Sequence, residues 1–306
     1  MARYTTLLSV AERPKFHAWE IIIHGLLIFL LMTGSYWRNR VWKSELELWT
    51  DCVKKSPNKD RPHYNLGTFF FNQGKYQEAI PHLNEALRIN PNYAEAHNNL
   101  GNVFFNQDKY HEAIDQYNEA LRINPNYAEA HNNLGSALAN QGKYQEAIPH
   151  INEALRINPN YAEAHNNLGN FFLKQGKYQE AIGQYNEALR INPNLAEAHY
   201  NLGTVFLNQG KYQEAIPHLN EALRINPNYA AAHNNLGTVF LNQGKYQEAI
   251  GQYNEALRIN FNLAEAHNML GHAYFMIGNR GLAMREYEIL KTMNPALANS
   301  LYQKIK

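Results

Sequence analysis

Apolar positions along the chain recur with a period of about 34 residues, and that period predicts the architecture. The stretch AEAHNNLG begins at Ala94, Ala128 and Ala162, with close variants from Ala196, Ala230 and Ala264 and a further copy, DRPHYNLG, from Asp60. Seven units therefore run from Asp60 to about Leu297. In the unit that starts at Ala94, Leu100, Val103 and Phe104 fall at helical spacing and predict a first helix. Asn106-Gln107-Asp108 breaks it, and at the third place most other copies carry glycine, which suits a left-handed residue ending a helix. Tyr110, Ala113, Ile114, Tyr117, Ala120 and Leu121 then form one face of a second helix, which Asn124-Pro125-Asn126 stops. A helix pair this small cannot bury its apolar face alone, so the units must stack around one continuous core.

The succession Leu-Gly-x-x-Phe/Tyr, then Ala, then Tyr/Leu-x-x-Ala, then Pro resembles the tetratricopeptide repeat, a helix-turn-helix of the same period. The resemblance implies an all-α, right-handed α-solenoid of seven such units. Departures are Asp108 for Gly, Phe261 for Pro and Leu290 for Ala. Residues 60–297 hold the repeats. Residues 298–306 end a capping helix that begins at Ala296, with Leu297, Leu301 and Ile305 on one face. Residues 39–59 read as a linking helix, a degenerate half-repeat in which Cys52 takes the place of a small core residue. A second period, twice the first, lies over it: IPHLNEAL or IPHINEAL alternates with IDQYNEAL or IGQYNEAL, so Pro81, Pro149 and Pro217 recur in every other second helix and should bend it.

Ahead of the repeats, the run from Ile21 to Trp37 carries no formal charge, and Trp19, Tyr36 and Trp37 mark its ends like an interfacial aromatic belt. A single transmembrane helix is expected over residues 16–38, after an N-terminal flank of residues 1–15. A cleaved secretory signal is the rival reading, with Thr33-Gly34-Ser35 as a poor cleavage site. Basic residues number three before the span and five after it by Lys55, which favours repeats on the cytoplasmic side. A second resemblance points the other way. Arg38 to Gly67 is similar to the junction in multi-span membrane proteins related to O-mannosyltransferases, whose repeats lie outside the cytosol. The catalytic membrane portion of those proteins has no counterpart here, so the resemblance implies an extracytoplasmic repeat domain and no transferred activity.

Composition narrows the chemistry. Lys+Arg is 28 against Asp+Glu at 27, a net charge of +1 that offers nucleic acid no electrostatic footprint. One cysteine excludes an intrachain disulfide and a thiolate zinc site. No phosphate-binding glycine loop, G-x-S-x-G or H-E-x-x-H occurs, so the expectation is a protein that is not an enzyme and carries no cofactor or metal. His63, His97, His131, His165, His199, His233 and His267 share one slot early in each first helix, one repeat apart, too far from one another to share a metal. His82, His150 and His218 follow the prolines and are expected on the outer face.

The informative residues are asparagines on the first helices, which line the concave groove in this repeat family. Asn65, Asn99, Asn133, Asn167, Asn201 and Asn235 occupy one slot, Asn98, Asn132, Asn166, Asn234 and Asn268 precede it, and Asn72, Asn106, Asn140, Asn208 and Asn242 lie two turns on. A carboxamide both donates and accepts, so it can hold an extended peptide backbone without reading its sequence. The ladder resembles the asparagines lining the repeats of O-GlcNAc transferase, which implies peptide binding by Asn65, Asn99, Asn133, Asn167, Asn201, Asn235, Asn98, Asn132 and Asn166. The other reading is that these amides solvate the groove or bond between neighbouring helices. The lysine clamp of chaperone-tail binders is not matched: Glu95, Glu129, Glu163 and Glu197 stand where its second lysine would be. The sequence thus points to a membrane-anchored scaffold that binds a protein or peptide, with the lipid bilayer as a second partner and no nucleic acid. Two alternatives stay open: the acceptor-targeting tail of a membrane glycosyltransferase, and a structural subunit of a larger membrane complex.

Overall fold

The computed structural model describes Leu26 and residues 44–306. The span expected over residues 16–38 lies, Leu26 apart, outside the described residues, as does the flank before it. Among the described residues no helix is long and apolar enough to cross a membrane. The described chain is all-α and falls into two compact units, one ending at Ala96 and one running from His97 to Lys306.

The first unit begins with α1 (Glu45–Lys55). Ser44 caps it by accepting a hydrogen bond from the Glu47 amide, and Lys54 and Lys55 sit in its last turn, where the helix dipole favours cations. The first repeat follows as α2 (Asp60–Asn72) and α3 (Tyr76–Ile89). α3 runs on through Pro81. Leu66, Ala79, Leu83 and Ala86 form this repeat's apolar seam.

The remaining repeats are α4 (Ala94–Phe105) with α5 (Tyr110–Ile123), α6 (Ala128–Asn140) with α7 (Tyr144–Ile157), α8 (Ala162–Lys174) with α9 (Tyr178–Ile191), α10 (Ala196–Asn208) with α11 (Tyr212–Ile225), α12 (Ala230–Asn242) with α13 (Tyr246–Ile259), and α14 (Ala264–Met276) with α15 (Arg280–Met293). A last helix, α16 (Pro295–Ile305), packs on both α14 and α15. It buries Ala298, Leu301 and Ile305, and Arg280 donates to the carbonyls of Ile305 and Lys306 at its end.

Each turn follows from its residues. Gly142 has φ +79°, its amide bonds to Ala139 O and the Lys143 amide to Leu138 O, which is the left-handed closure of α6. Asp108 holds the same conformation at φ 58°, and Tyr110 Oη donates to its carboxylate at 2.7 Å. After α5, the Asn124 side chain accepts from the Asn126 amide and closes the turn beside Pro125.

Within a pair, the regularly placed glycine of the first helix lets the second approach. A Cβ on Gly169 would stand 2.6 Å from Tyr185 Cε1, so no side chain fits there without moving a fully buried ring. The two-repeat alternation now has a packing meaning. Through the first six repeats, Tyr117, Tyr185 and Tyr253 fill the central slot in alternate repeats and Leu83, Ile151 and Leu219 fill it in the others. Each tyrosine needs a partner for its hydroxyl, and finds Asn102, Asn170 or Thr238 on the facing helix at 2.7–3.2 Å.

Candidate functional site

In the second unit the first helices of successive repeats adjoin one another, α6 with α8, α8 with α10, α10 with α12 and α12 with α14, whereas successive second helices are held farther apart. The first helices are therefore the inner row, and their exposed residues form the face on which a ligand meets several repeats at once.

The asparagines expected to line that face divide into three kinds. Asn98, Asn132 and Asn166 are buried, at 0 %, 5 % and 8 % exposure. Their side-chain oxygens accept from the next repeat: Asn133 Nδ2 to Asn98 Oδ1 at 3.0 Å, Asn167 Nδ2 to Asn132 Oδ1 at 2.9 Å and Asn201 Nδ2 to Asn166 Oδ1 at 2.9 Å. Asn133 and Asn167 each make a second N–H bond to the preceding repeat, to Asn102 Oδ1 and Ser136 Oγ. Asn98 also donates to Glu129 at 2.9 Å. These carboxamides are rungs that stitch repeat to repeat, the role that competes with ligand binding. Asn65 and Asn99 are half-buried on α2 and α4. Asn235 donates to Thr204 Oγ1 instead, because Tyr200 fills the slot that its usual acceptor would take. Met269 replaces the next donor, and no protein group faces Asn234 Oδ1.

The third set is the exposed one. Asn140, an exposed residue, lines a cavity of about 360 Å³ built on α6, α8 and α10 with Tyr144 at the start of α7. Its walls combine Tyr144, Phe171, Leu173 and Tyr200 with Asn170, Asn201 and Thr204. Of its lining residues only Lys174, standing where five other repeats carry asparagine, is charged. Asn201 gives one amide hydrogen to Asn166, and Asn170 accepts from Tyr185, so each keeps an amide hydrogen beyond those bonds. The arrangement offers amide and ammonium donors between apolar walls, over a length of three repeats.

The histidines correct one expectation. His82, His150 and His218 do not stand apart on an outer face: their Nδ1 atoms meet Nδ1 of His63, His131 and His199 at 3.5, 3.1 and 3.3 Å. In the alternate repeats Gln116, Gln184 and Gln252 occupy that place and their side-chain amides meet His97, His165 and His233 at 2.8 Å. In the last repeat it is Glu286, 2.6 Å from the buried His267, whose Nε2 faces Phe261 O at 2.9 Å. The signal was present as the alternation of His and Gln in the second helix. Its partner lies 19 residues away on the neighbouring helix, and only the packed pair reveals it. Among the described residues no group of three or more His, Cys, Asp and Glu side chains gathers as a metal cage.

Burial, and then the charge of the partner histidine, hold His82, His150 and His218 below the ordinary histidine pKa. The unfolded chain therefore binds more protons than the folded one just below about pH 6.5, and stability rises with pH there. We expect the melting temperature to be flat from pH 8 to 7 and to fall as pH drops from 6.5 to 5.5, with H82Q/H150Q/H218Q removing most of that fall. The surface carboxylates Glu85, Glu153 and Glu221, lowered by their hydrogen bonds to Arg88, Arg156 and Arg224, act only below about pH 4.5 and leave this window clear. A pH-independent melt, or one unaltered in the variant, would contradict the assignment.

Known proteins resemble the chain to different depths. A solved structure of the APC/C hetero-tetramer Cut9–Hcn1 superposes with a TM-score of 0.70 at 23% identity, covering 76% of this chain and 46% of that one. PilF of Pseudomonas aeruginosa gives a TM-score of 0.63 at 23% identity over 70% of this chain and 97% of its own. Both likenesses concern the fold. Protein O-mannosyl-transferase TMTC1 of Homo sapiens is 32% identical over 73 residues, which is 24% of this chain and 8% of that protein. Residues 59–267 match the family model described as the cilia and flagella-associated protein 70 C-terminal domain, a tetratricopeptide-repeat model. With helix pairs, turn glycines and small-residue seams all in the places that such repeats require, the chain belongs to that family of tetratricopeptide-repeat proteins.

Proposed function

We propose that the repeats are a scaffold that binds an extended segment of another protein along the inner row of first helices, centred on α6, α8 and α10. The observation that carries this reading is the 360 Å³ cavity spanning three repeats, where Asn140, Asn170 and Lys174 stand among aromatic and aliphatic walls. Backbone carbonyls of an extended chain suit the amide donors, its apolar side chains suit Tyr144, Leu173 and Tyr200, and Lys174 selects an acidic side chain beside them. Stacked helices hold these groups in place before the ligand arrives, so the ordering cost falls on the ligand alone. Each amide contact contributes about 0.5–1.5 kcal/mol, so the apolar anchors must supply much of the affinity.

A photo-crosslinking side chain at Asn140 or Lys174 should form an adduct with the bound protein, and one at Glu180, exposed on α9, should not. N140W, which fills the cavity from an exposed position, should weaken binding at least tenfold while altering stability by less than about 0.5 kcal/mol. Equal adducts from Glu180, or binding indifferent to N140W, would refute the groove.

The membrane tether over residues 16–38 and the extracytoplasmic side of the repeats belong to the same proposal. They are supported by the uncharged run Ile21–Trp37 and by the similarity to TMTC1. Protease digestion of sealed vesicles reports the side on which the crosslinked complex lies. The same similarity favours a second reading, a tail that presents acceptor proteins to a membrane glycosyltransferase. It predicts that the crosslinked adduct is a glycoprotein.

A further inference from the structure

We propose that the three histidine pairs are zinc sites, one in every other repeat, separate from the peptide groove. Each consists of a first-helix histidine and a second-helix histidine: His63 with His82, His131 with His150, and His199 with His218.

Three observations converge. The first is distance. Two imidazole nitrogens bound to a tetrahedral zinc ion at about 2.0–2.1 Å stand about 3.3–3.4 Å apart. The Nδ1 atoms here are 3.5, 3.1 and 3.3 Å apart, so the ion enters with adjustments of a few tenths of an ångström. The second is the tautomer. His63, His131 and His199 point Nε2 at the carbonyls of Pro57, Pro125 and Pro193, at 3.1–3.2 Å. An Nε2–H bound to a carbonyl leaves Nδ1 as a lone pair aimed at the partner ring, the outer hydrogen bond that zinc-ligating histidines use. The third is recurrence. The pairing returns in every second repeat with the same atoms facing, and with ring separations of 5.4–5.7 Å.

In the metal-free pair the second-helix ring donates Nδ1–H to its partner. Zinc displaces that bond, and the proton moves to Nε2 of the same ring, so a neutral imidazole stays neutral. Two further positions go to water, because no third His, Cys, Asp or Glu side chain gathers at the pairs among the described residues. Glu85, Glu153 and Glu221 lie near enough to interact with the charge of His63, His131 and His199, although each also bonds an arginine. Imidazole-only sites with open positions suit zinc over magnesium or calcium, which require oxygen ligands.

The alternate repeats supply the control. Gln116, Gln184 and Gln252 fill the second-helix place with the fold unchanged, so His→Gln is a substitution that the repeat already accommodates. The full chain, stripped of metal, is titrated calorimetrically with zinc chloride at pH 7.5, with magnesium chloride as comparison. H82Q, H150Q and H218Q should each remove one equivalent of zinc, and the triple variant three, with helical content retained by circular dichroism. Zinc should raise the melting temperature of the parent chain and not of the triple variant. A parent chain that takes up no zinc, or a triple variant with unchanged uptake, reduces the pairs to hydrogen bonds and overturns the proposal.

Discussion

The triple variant N133A/N167A/N201A is expected to lose about 3–9 kcal/mol of stability from the repeats between α4 and α10. Each substitution removes the donor that faces a buried carboxamide oxygen on the preceding repeat, and a buried acceptor left without a partner costs about 1–3 kcal/mol. The rungs lie in three successive interfaces and share few atoms, so their losses add to a first approximation. In a stacked array stability is a sum of repeat and interface terms, so weak interfaces also uncouple the repeats on either side. Urea unfolding should broaden from one transition into two, and amide exchange should rise through α6 and α8. N235A is the comparison: its single bond goes to a threonine hydroxyl, and its loss should cost about 0.5–1.5 kcal/mol. If the triple variant unfolds like the parent chain, the rungs contribute nothing and the amides are free for ligand after all.

The second large effect is expected at Tyr185. Its side chain is fully buried, its ring lies against Gly169 and its hydroxyl donates to Asn170 at 2.7 Å. Y185A should cost about 3–5 kcal/mol, because the facing glycine has no side chain with which to fill the void. Y185L should cost roughly half as much, since Leu83, Ile151 and Leu219 occupy the same slot opposite Gly67, Gly135 and Gly203. Equilibrium urea unfolding of both variants decides it: a leucine variant as unstable as the alanine one would mean that the hydroxyl bond, and not ring volume, holds this repeat. Burial pushes the Tyr185 phenol well above its usual pKa, so the hydroxyl remains a donor across the neutral range.

Much of the fold was legible because it is local. Leu100, Val103 and Phe104 fall at helical spacing, a glycine after six of the seven first helices marks a left-handed residue, and Asn-Pro-Asn marks five of the second stops. The cap was legible for the same reason: Leu301 and Ile305 lie one helical turn apart and both are buried. The site was less so. Asn132 and Asn133 are neighbours in sequence and both polar, yet Asn132 is a buried acceptor for Asn167 of the next repeat, whereas Asn133 donates to Asn98 of the preceding one. That division is set by partners 35 residues away, which no helical period encodes. The histidine pairs fall in the same class, and Lys174 gains its meaning only from the walls around it.

The rungs join each repeat to its immediate neighbour, and the histidine and tyrosine pairings close within a repeat. Excising or duplicating whole units between Ala94 and Leu195 would therefore bring equivalent atoms together again. The molecule behaves as a ruler whose length can drift between relatives without new interfaces having to be invented. Met269 interrupts the run of donors, so units exchanged between Ala94 and Leu195 keep the rung chemistry, and the reach of the groove, more than its chemistry, is what such changes would tune.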